Sequence, residues 1–252
     1  MMRLSGSQRR LLFSISLILY AVLLGLLTRD RYLDWRQGES APTPAAEVGP
    51  SESEPAPEST PSSPELPKAA LLDVPFLAQA PFAVWDELHQ EACEEASLMM
   101  VQYYRTGKTF GSLTAADQEI KDLIAWQTNN GYAVDVTVAQ LAEIAWRYYR
   151  LDSGRVIKNP TTLQLKREIA EGRPVIVPAA GRLLPNPYFR SPGPLYHMVV
   201  IKGYDNDQFI TNDPGTKRGK GFRYKYQDLL SALHDWKRGD ILNGEKAVLV
   251  FD

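Results

Sequence analysis

The chain has 252 residues, with 28 basic and 30 acidic side chains, three histidines and one cysteine. A balance so close to neutral gives no electrostatic reason to propose nucleic acid as a partner, and none is expected. A single cysteine excludes an internal disulfide, so the fold rests on packing rather than on cross-links.

After a short basic segment, residues 1–10, comes a mostly apolar run from Leu11 to Leu27, bracketed by Arg9, Arg10, Arg29 and Arg31. As a helix it spans roughly 25 Å, slightly less than a bilayer core, and flanking arginines make up the difference by snorkelling. No A-x-A site follows Leu27 and no cysteine follows the run, which argues against a cleaved signal peptide and against a lipoprotein. The expectation is an uncleaved transmembrane anchor over 11–28. Arginines are split evenly about it, so the N-inside orientation rests on the amino terminus and on the character of the next segment. That segment, residues 29–70, is rich in proline, serine and glutamate, with a single lysine, Lys68. Such a stretch cannot bury enough apolar surface to fold and reads as a disordered stalk. Together these features place a single-pass protein in the membrane, its domain on the extracytoplasmic side. Residues 71–252 then form one globular domain, expected to be monomeric.

Within the domain, "ALLDVPFLAQAPF" is extended, punctuated by Pro75 and Pro81. Ala96, Met99, Met100 and Tyr103 recur at helical spacing, with Gly107 as the stop. Three more helices follow Thr114, Thr137 and Thr161, each a candidate N-cap, and Thr137 with Gln140 forms a capping box. The pattern then changes. "PVIVPAA" (174–180) is a buried strand interrupted by Pro178, and a proline-rich loop runs from Gly181 to Pro194. "YHMVVIKGYD" and "QFITND" form a hairpin across Asp205 to Asp207, and "GFRYKYQ" and "KAVLVF" add strands around a short helix near Leu229 to His234. Helices first and antiparallel strands second make an α+β domain.

Cys93 stands where a helical pattern begins, a position that lowers a thiol pKa. His197 opens a strand after a long loop, and Asp213 closes the partner strand. Both numbers are odd, so the two side chains share a sheet face only if the hairpin pairs with an even sum. That requires an odd-numbered loop or a bulge. Thiol, imidazole and carboxylate are the parts of an activated nucleophile, and Gln79, upstream, could supply an amide donor to an oxyanion. Taken singly, each has a plainer reading: packing for the cysteine, a structural hydrogen bond for the histidine, a turn for the aspartate.

"DVPFLAQAPFAVWDELHQEACEEAS", "YHMVVIKGYD" and "FITNDPG" resemble the C39-like branch of the papain-like cysteine peptidases, with glutamine, cysteine, histidine and aspartate in the family order. The resemblance spans essentially all of 71–252. It implies a papain-like fold, with Gln79 at the oxyanion hole, Cys93 as nucleophile, His197 as base and Asp213 orienting it. It also implies a peptide or protein substrate and no cofactor. Many members carry Gly-Pro after the cysteine, whereas this chain has Glu94 and Glu95, carboxylates that raise a neighbouring thiol's pKa while suiting a first helical turn.

Three other readings stay open. His89, Cys93, His197 and Asp213 could be metal ligands. The domain could bind a peptide or cell-surface ligand without cutting, or the same groups could carry out another acyl transfer or amide hydrolysis. Lys217, Arg218, Lys220, Arg223 and Lys225 are expected to form a solvated turn and strand face. Trp126, Trp146, Tyr148 and Tyr149 are expected in the core, and His234 on a helix surface. Trp85 is expected either to line the cleft or to pack.

Overall fold

A computed structural model describes residues 65–252. The anchor expected over 11–28 and most of the linker expected over 29–70 lie outside these residues. Among the described residues no helix is long and apolar enough to cross a membrane. The described residues include a short strand that starts just before residue 71. Strand β1 (Ala70–Leu71) pairs with the far end of β4, and the Tyr204 hydroxyl donates to the Pro67 carbonyl at 2.9 Å.

The helices come first, as expected. A one-turn helix α1 (Glu87–Gln90) is capped by Asp86, and α2 (Cys93–Arg105) follows directly. Helix α3 (Leu113–Asn129) starts earlier than expected. Ser112, not Thr114, is its cap, its hydroxyl accepting from Ala115 N–H at 3.1 Å. Thr137 and Thr161 cap α4 (Val138–Tyr149) and α5 (Thr162–Ala170), each closing a reciprocal box with a glutamine three residues on. Strand β2 (Gly154–Lys158) lies between them.

Strands β3 (Val175–Ala180), β4 (Tyr196–Asp205), β5 (Gln208–Asn212), β6 (Lys220–Lys225) and β7 (Ala247–Phe251) complete an antiparallel sheet in the order β2-β7-β3-β4-β5-β6, with α6 (Tyr226–Ala232) after β6. Both faces of the sheet are covered. Ile176, Met198, Val200, Leu249 and Phe251 pack with Leu98, Ile120 and Leu141 of α2, α3 and α4. The alternating residues Val175, Val177, Val199, Ile201 and Val250 pack with Leu165, Ile169 and Leu229 of α5 and α6. Hence "VIVPAA" and "HMVVI" read as unbroken apolar runs rather than alternating ones. Pro178 is tolerated in a central strand because β7 pairs with β3 only at Val175 and Ile176. Past that point the neighbour on that side is the single bridge Ala179↔Leu233. There Pro178 only accepts, its carbonyl taking the His234 N–H at 3.3 Å, so no N–H is required of it.

Two features are placed otherwise than expected. Trp146 is exposed, whereas Trp126 and Tyr148 meet edge-on against the core. His234 is buried just beyond α6, its Nδ1 against the Ala232 carbonyl at 3.1 Å. The basic run is exposed throughout, as expected, with Arg223 paired to Asp205 at the surface and Lys217 and Arg218 lining a cleft.

Candidate active site

The β4–β5 hairpin resolves the parity condition. Its turn of two residues, Asn206 and Asp207, sets pairs such as Tyr204↔Phe209, whose numbers sum to an odd value. A bulge at Lys202 then shifts the register, and Ile201↔Thr211 and Val200↔Asn212 sum to an even one. His197 and Asp213 therefore emerge on one face, and Nε2 of the ring lies 2.8 Å from Oδ1 of the carboxylate. Both side chains are buried.

Asp213 is held by more than the histidine. Oδ1 also accepts the Gly215 N–H at 2.9 Å, while Oδ2 accepts from Asn186 Nδ2 at 2.9 Å and from the Tyr224 hydroxyl at 2.6 Å. Burial alone would raise this carboxyl, but His197, Tyr224 and Gly215 outweigh it and hold it below the usual carboxylate range. Burial, reinforced by the adjacent Asp213, pushes Tyr224 well up, so its hydroxyl keeps its proton and remains a donor. Neither Asn186 nor Tyr224 stands out in the sequence, one in a proline-rich loop and the other within a strand.

Two glycines let backbone close around the ring. A Cβ at Gly181 would lie 2.6 Å from the Pro194 carbonyl oxygen, so only glycine lets the 181–194 loop return beside β4. A Cβ at Gly215 would lie 2.8 Å from His197 Cε1. Phe189 completes the enclosure, edge-on to the ring at 5.2 Å between centroids.

Cys93 is the first residue of α2, with Ala92 as a cap that offers no side-chain bond. Its thiol is buried among Met198 and the α2 core, and Sγ donates to Glu94 Oε2 at 2.9 Å. No hydrogen bond joins it to His197 among the described residues. The helix start does not prevail: burial first, then Glu94 and Glu95, push the thiol well above its ordinary range, with only the Met198 backbone acting the other way.

Glu94 and Glu95 are not solvated helix-start residues. Both are buried; Glu94 Oε1 accepts the Val136 N–H at 3.3 Å, and Glu95 Oε1 accepts from Gln127 Nε2. Burial drives Glu94 well up and Glu95 from 4.5 to about 7. The folded chain thus keeps a proton on Glu95 that the unfolded chain releases, so this group lowers stability as pH rises from about 4.5 to about 7, with the full loss above. Glu95→Gln keeps the acceptor for Gln127 without the charge. It should leave stability near pH 5 almost unchanged and add about 1–3 kcal/mol at pH 8, read from urea unfolding at both pH values. Equal effects at both pH values would show that Glu95 is not a buried proton carrier.

Gln79 is buried beside the cleft, but its amide is engaged, Nε2 donating to the carbonyls of His89 and Gln90 at 2.9 and 3.0 Å while Oε1 has no partner. It thereby pins the turn leading into Cys93. His89 secures the same turn from the other side, with Nδ1 at 2.7 Å from Asp86 and Nε2 at 2.9 Å from Asp117. Both ring nitrogens are committed, which removes His89 from the metal-ligand reading. Among the described residues, no group of three His, Cys, Asp or Glu side chains is placed to hold a metal ion.

A cleft of about 970 Å³ opens over His197 and Gln79. Trp85, exposed, Val134 and Asp135 line it from the helical half, and Tyr188, Arg190, Lys217 and Arg218 from the sheet half.

No protein of curated function is detectably similar in sequence. A solved structure of a candidate C39-like peptidase from Bacillus anthracis matches at 16% identity and a TM-score of 0.49, over 74% of this chain and 98% of that one. The family model described as "Peptidase_C39 like family" matches residues 71–238, most of the domain and every residue of the cleft and its polar network. The chain belongs to the Peptidase_C39 like family.

Proposed function

We propose that the domain is a cysteine peptidase, with Cys93 as nucleophile, His197 as proton carrier and Asp213 as the group that fixes the ring. The observation that carries this reading is the buried His197–Asp213 pair beside an open cleft. With Nε2–H donated to Asp213, Nδ1 is the ring's basic nitrogen, and an ionised Asp213 stabilises the imidazolium that forms. The resting thiol is bonded to Glu94, so rotation about its Cα–Cβ bond precedes attack. The thiol proton passes to Nδ1 and sulfur bonds to the peptide carbonyl carbon. As the C–N bond breaks, the imidazolium returns the proton to the leaving amine. Water, deprotonated by His197, then cleaves the thioester to give a carboxylate and the free thiol.

The oxyanion would be met by the Cys93 N–H, in the first turn of α2 where backbone donors have no intrahelical acceptor, together with Gln79 Nε2. Gln79 must release one carbonyl to serve. Gln79→Ala is expected to lower kcat about a hundredfold with little change in KM. An unchanged kcat would remove Gln79 from that role.

The whole reading is tested by treating the protein at alkaline pH with iodoacetamide and mapping the adduct. Alkylation confined to Cys93, with cleavage of a fluorogenic peptide mixture lost in proportion, supports it. Fully alkylated protein that still cleaves would end it.

A further inference from the structure

The charged residues of the cleft are sorted by wall. Every charged side chain on the helical side, Glu91 and Asp135, is acidic. Those on the sheet side, Arg190, Lys217 and Arg218, are basic, with His197 near the junction. The cations come from two separate segments, the proline-rich loop before β4 and the turn after Asp213, so one local run does not explain them. All three are exposed, and none is paired with a carboxylate among the described residues. Some other cations of the domain have partners: Arg155 and Arg173 with Glu168, Lys158 with Glu245, Arg223 with Asp205. Others, such as Lys220 and Lys225, have none among the described residues, so it is their shared place on the cleft wall that sets Arg190, Lys217 and Arg218 apart. Arg218 is also oriented, its guanidinium 4.8 Å above the Tyr188 ring, which leaves its N–H edges for a ligand. Unpaired charges of one sign on a concave wall concentrate the field where a substrate must lie.

We propose that Arg190, Lys217 and Arg218 form a subsite for an acidic side chain of the peptide substrate, which makes them the specificity-determining residues of this cleft. The proposal rests on the peptidase reading for its consequence in turnover, but not for binding. A carboxylate on the substrate is drawn to the sheet wall and repelled by Glu91 and Asp135 across the gap. The same separation of charge fixes which way an asymmetric peptide lies over His197. Arg fits this task through its bidentate fork, and Lys217 adds a point charge beside it.

The test uses equimolar peptide mixtures with Glu or Gln fixed at one position at a time. With wild-type protein, kcat/KM should be about tenfold higher for Glu than for Gln at one position near the scissile bond, the sum of two or three exposed ion pairs. The preference should shrink as salt is raised. Lys217→Glu combined with Arg218→Glu should abolish it and favour Lys at that position, and an unshifted thermal melt shows that the exposed changes leave the fold intact. Indifference to Glu or Gln at every position overturns the subsite while leaving the peptidase reading untouched. A preference that vanishes on amidating the peptide carboxyl terminus, and depends on no side chain, also overturns it. A parallel measurement on Cys93→Ala separates the two readings. If wild-type protein cuts nothing, yet the Cys93→Ala protein binds Glu peptides about tenfold tighter than Gln peptides by fluorescence anisotropy, the subsite stands and the peptidase reading falls.

Discussion

Cys93→Ala is expected to abolish amide-bond cleavage while leaving a cooperatively folded domain. The chemical half follows from the reading of the site: no other thiol exists in the chain, and without sulfur there is no acyl intermediate for His197 to serve. The structural half needs a magnitude, because this thiol is buried rather than partly exposed. Removing one buried sulfur from a packed site should cost about 1 kcal/mol, and Glu94 loses a donor. That is a small share of the stability of a domain this size. Urea unfolding reports the cost, and hydrolysis of peptides by the folded variant reports the chemistry. Variant protein that still cleaves every peptide the parent cuts would sink the nucleophile. The buried position adds a second signature. Because burial and then Glu94 hold the thiol well above its ordinary range, alkylation of wild-type Cys93 should still be accelerating above about pH 9. A thiol already fully reactive near pH 6 would mean that the resting arrangement with Glu94 is not the one in solution.

Much of the frame is legible in the sequence because local physics sets it. Thr137 and Thr161 cap their helices by reciprocal bonds within one turn, and the apolar spacing of Ala96, Met99 and Met100 fixes α2 without reference to distant residues. The hairpin parity is also readable, as a condition rather than an answer: only the fold reveals that a bulge at Lys202 meets it. What escapes is tertiary. Strand β2, "GRVIK", sets Val156 beside Ile157 with no alternation and becomes a strand by pairing with β7, far along the chain. Ser112 displaces Thr114 as a cap because the chain enters α3 two residues sooner. Glu94 and Glu95 suit a first helical turn in sequence, and nothing there reveals that Val136 and Gln127 arrive to bury them. Within the site, His197 and Asp213 can be found by type and order. Asn186 and Tyr224, which secure Asp213, come together only in the folded domain.

Asp213→Ala is expected to cost both activity and stability, and the four donors around the carboxylate say why. His197, Gly215, Asn186 and Tyr224 all point at its two oxygens, and all but Gly215 are buried. Truncation leaves the buried His197 and Tyr224 donors with no acceptor and Asn186 with only the Tyr224 hydroxyl, a loss of about 3–5 kcal/mol. It also frees the ring to adopt the wrong tautomer, for which a drop in kcat of about a thousandfold or more is expected, still short of the complete loss in Cys93→Ala. The carboxyl's folded pKa lies below 3.8, so its contribution to stability is complete above about pH 4 and fades as acid protonates it. Asp213→Asn separates the two costs. If its oxygen keeps the Oδ1 position, its amide faces the Asn186 amide, donor against donor, and the Tyr224 hydroxyl, which must turn from donor to acceptor. If it flips, the same conflict falls on His197 and Gly215. Either orientation destabilises the site, and only the second also forces the ring to present Nε2 as an acceptor. Tyr224→Phe removes one donor and spares the ring, so it should cost about 1 kcal/mol of stability and only a few-fold in kcat. The order of kcat, wild type above Tyr224→Phe above Asp213→Ala, is therefore fixed in advance. A Tyr224→Phe variant as slow as Asp213→Ala would mean that Asp213 acts through the scaffold and not through His197.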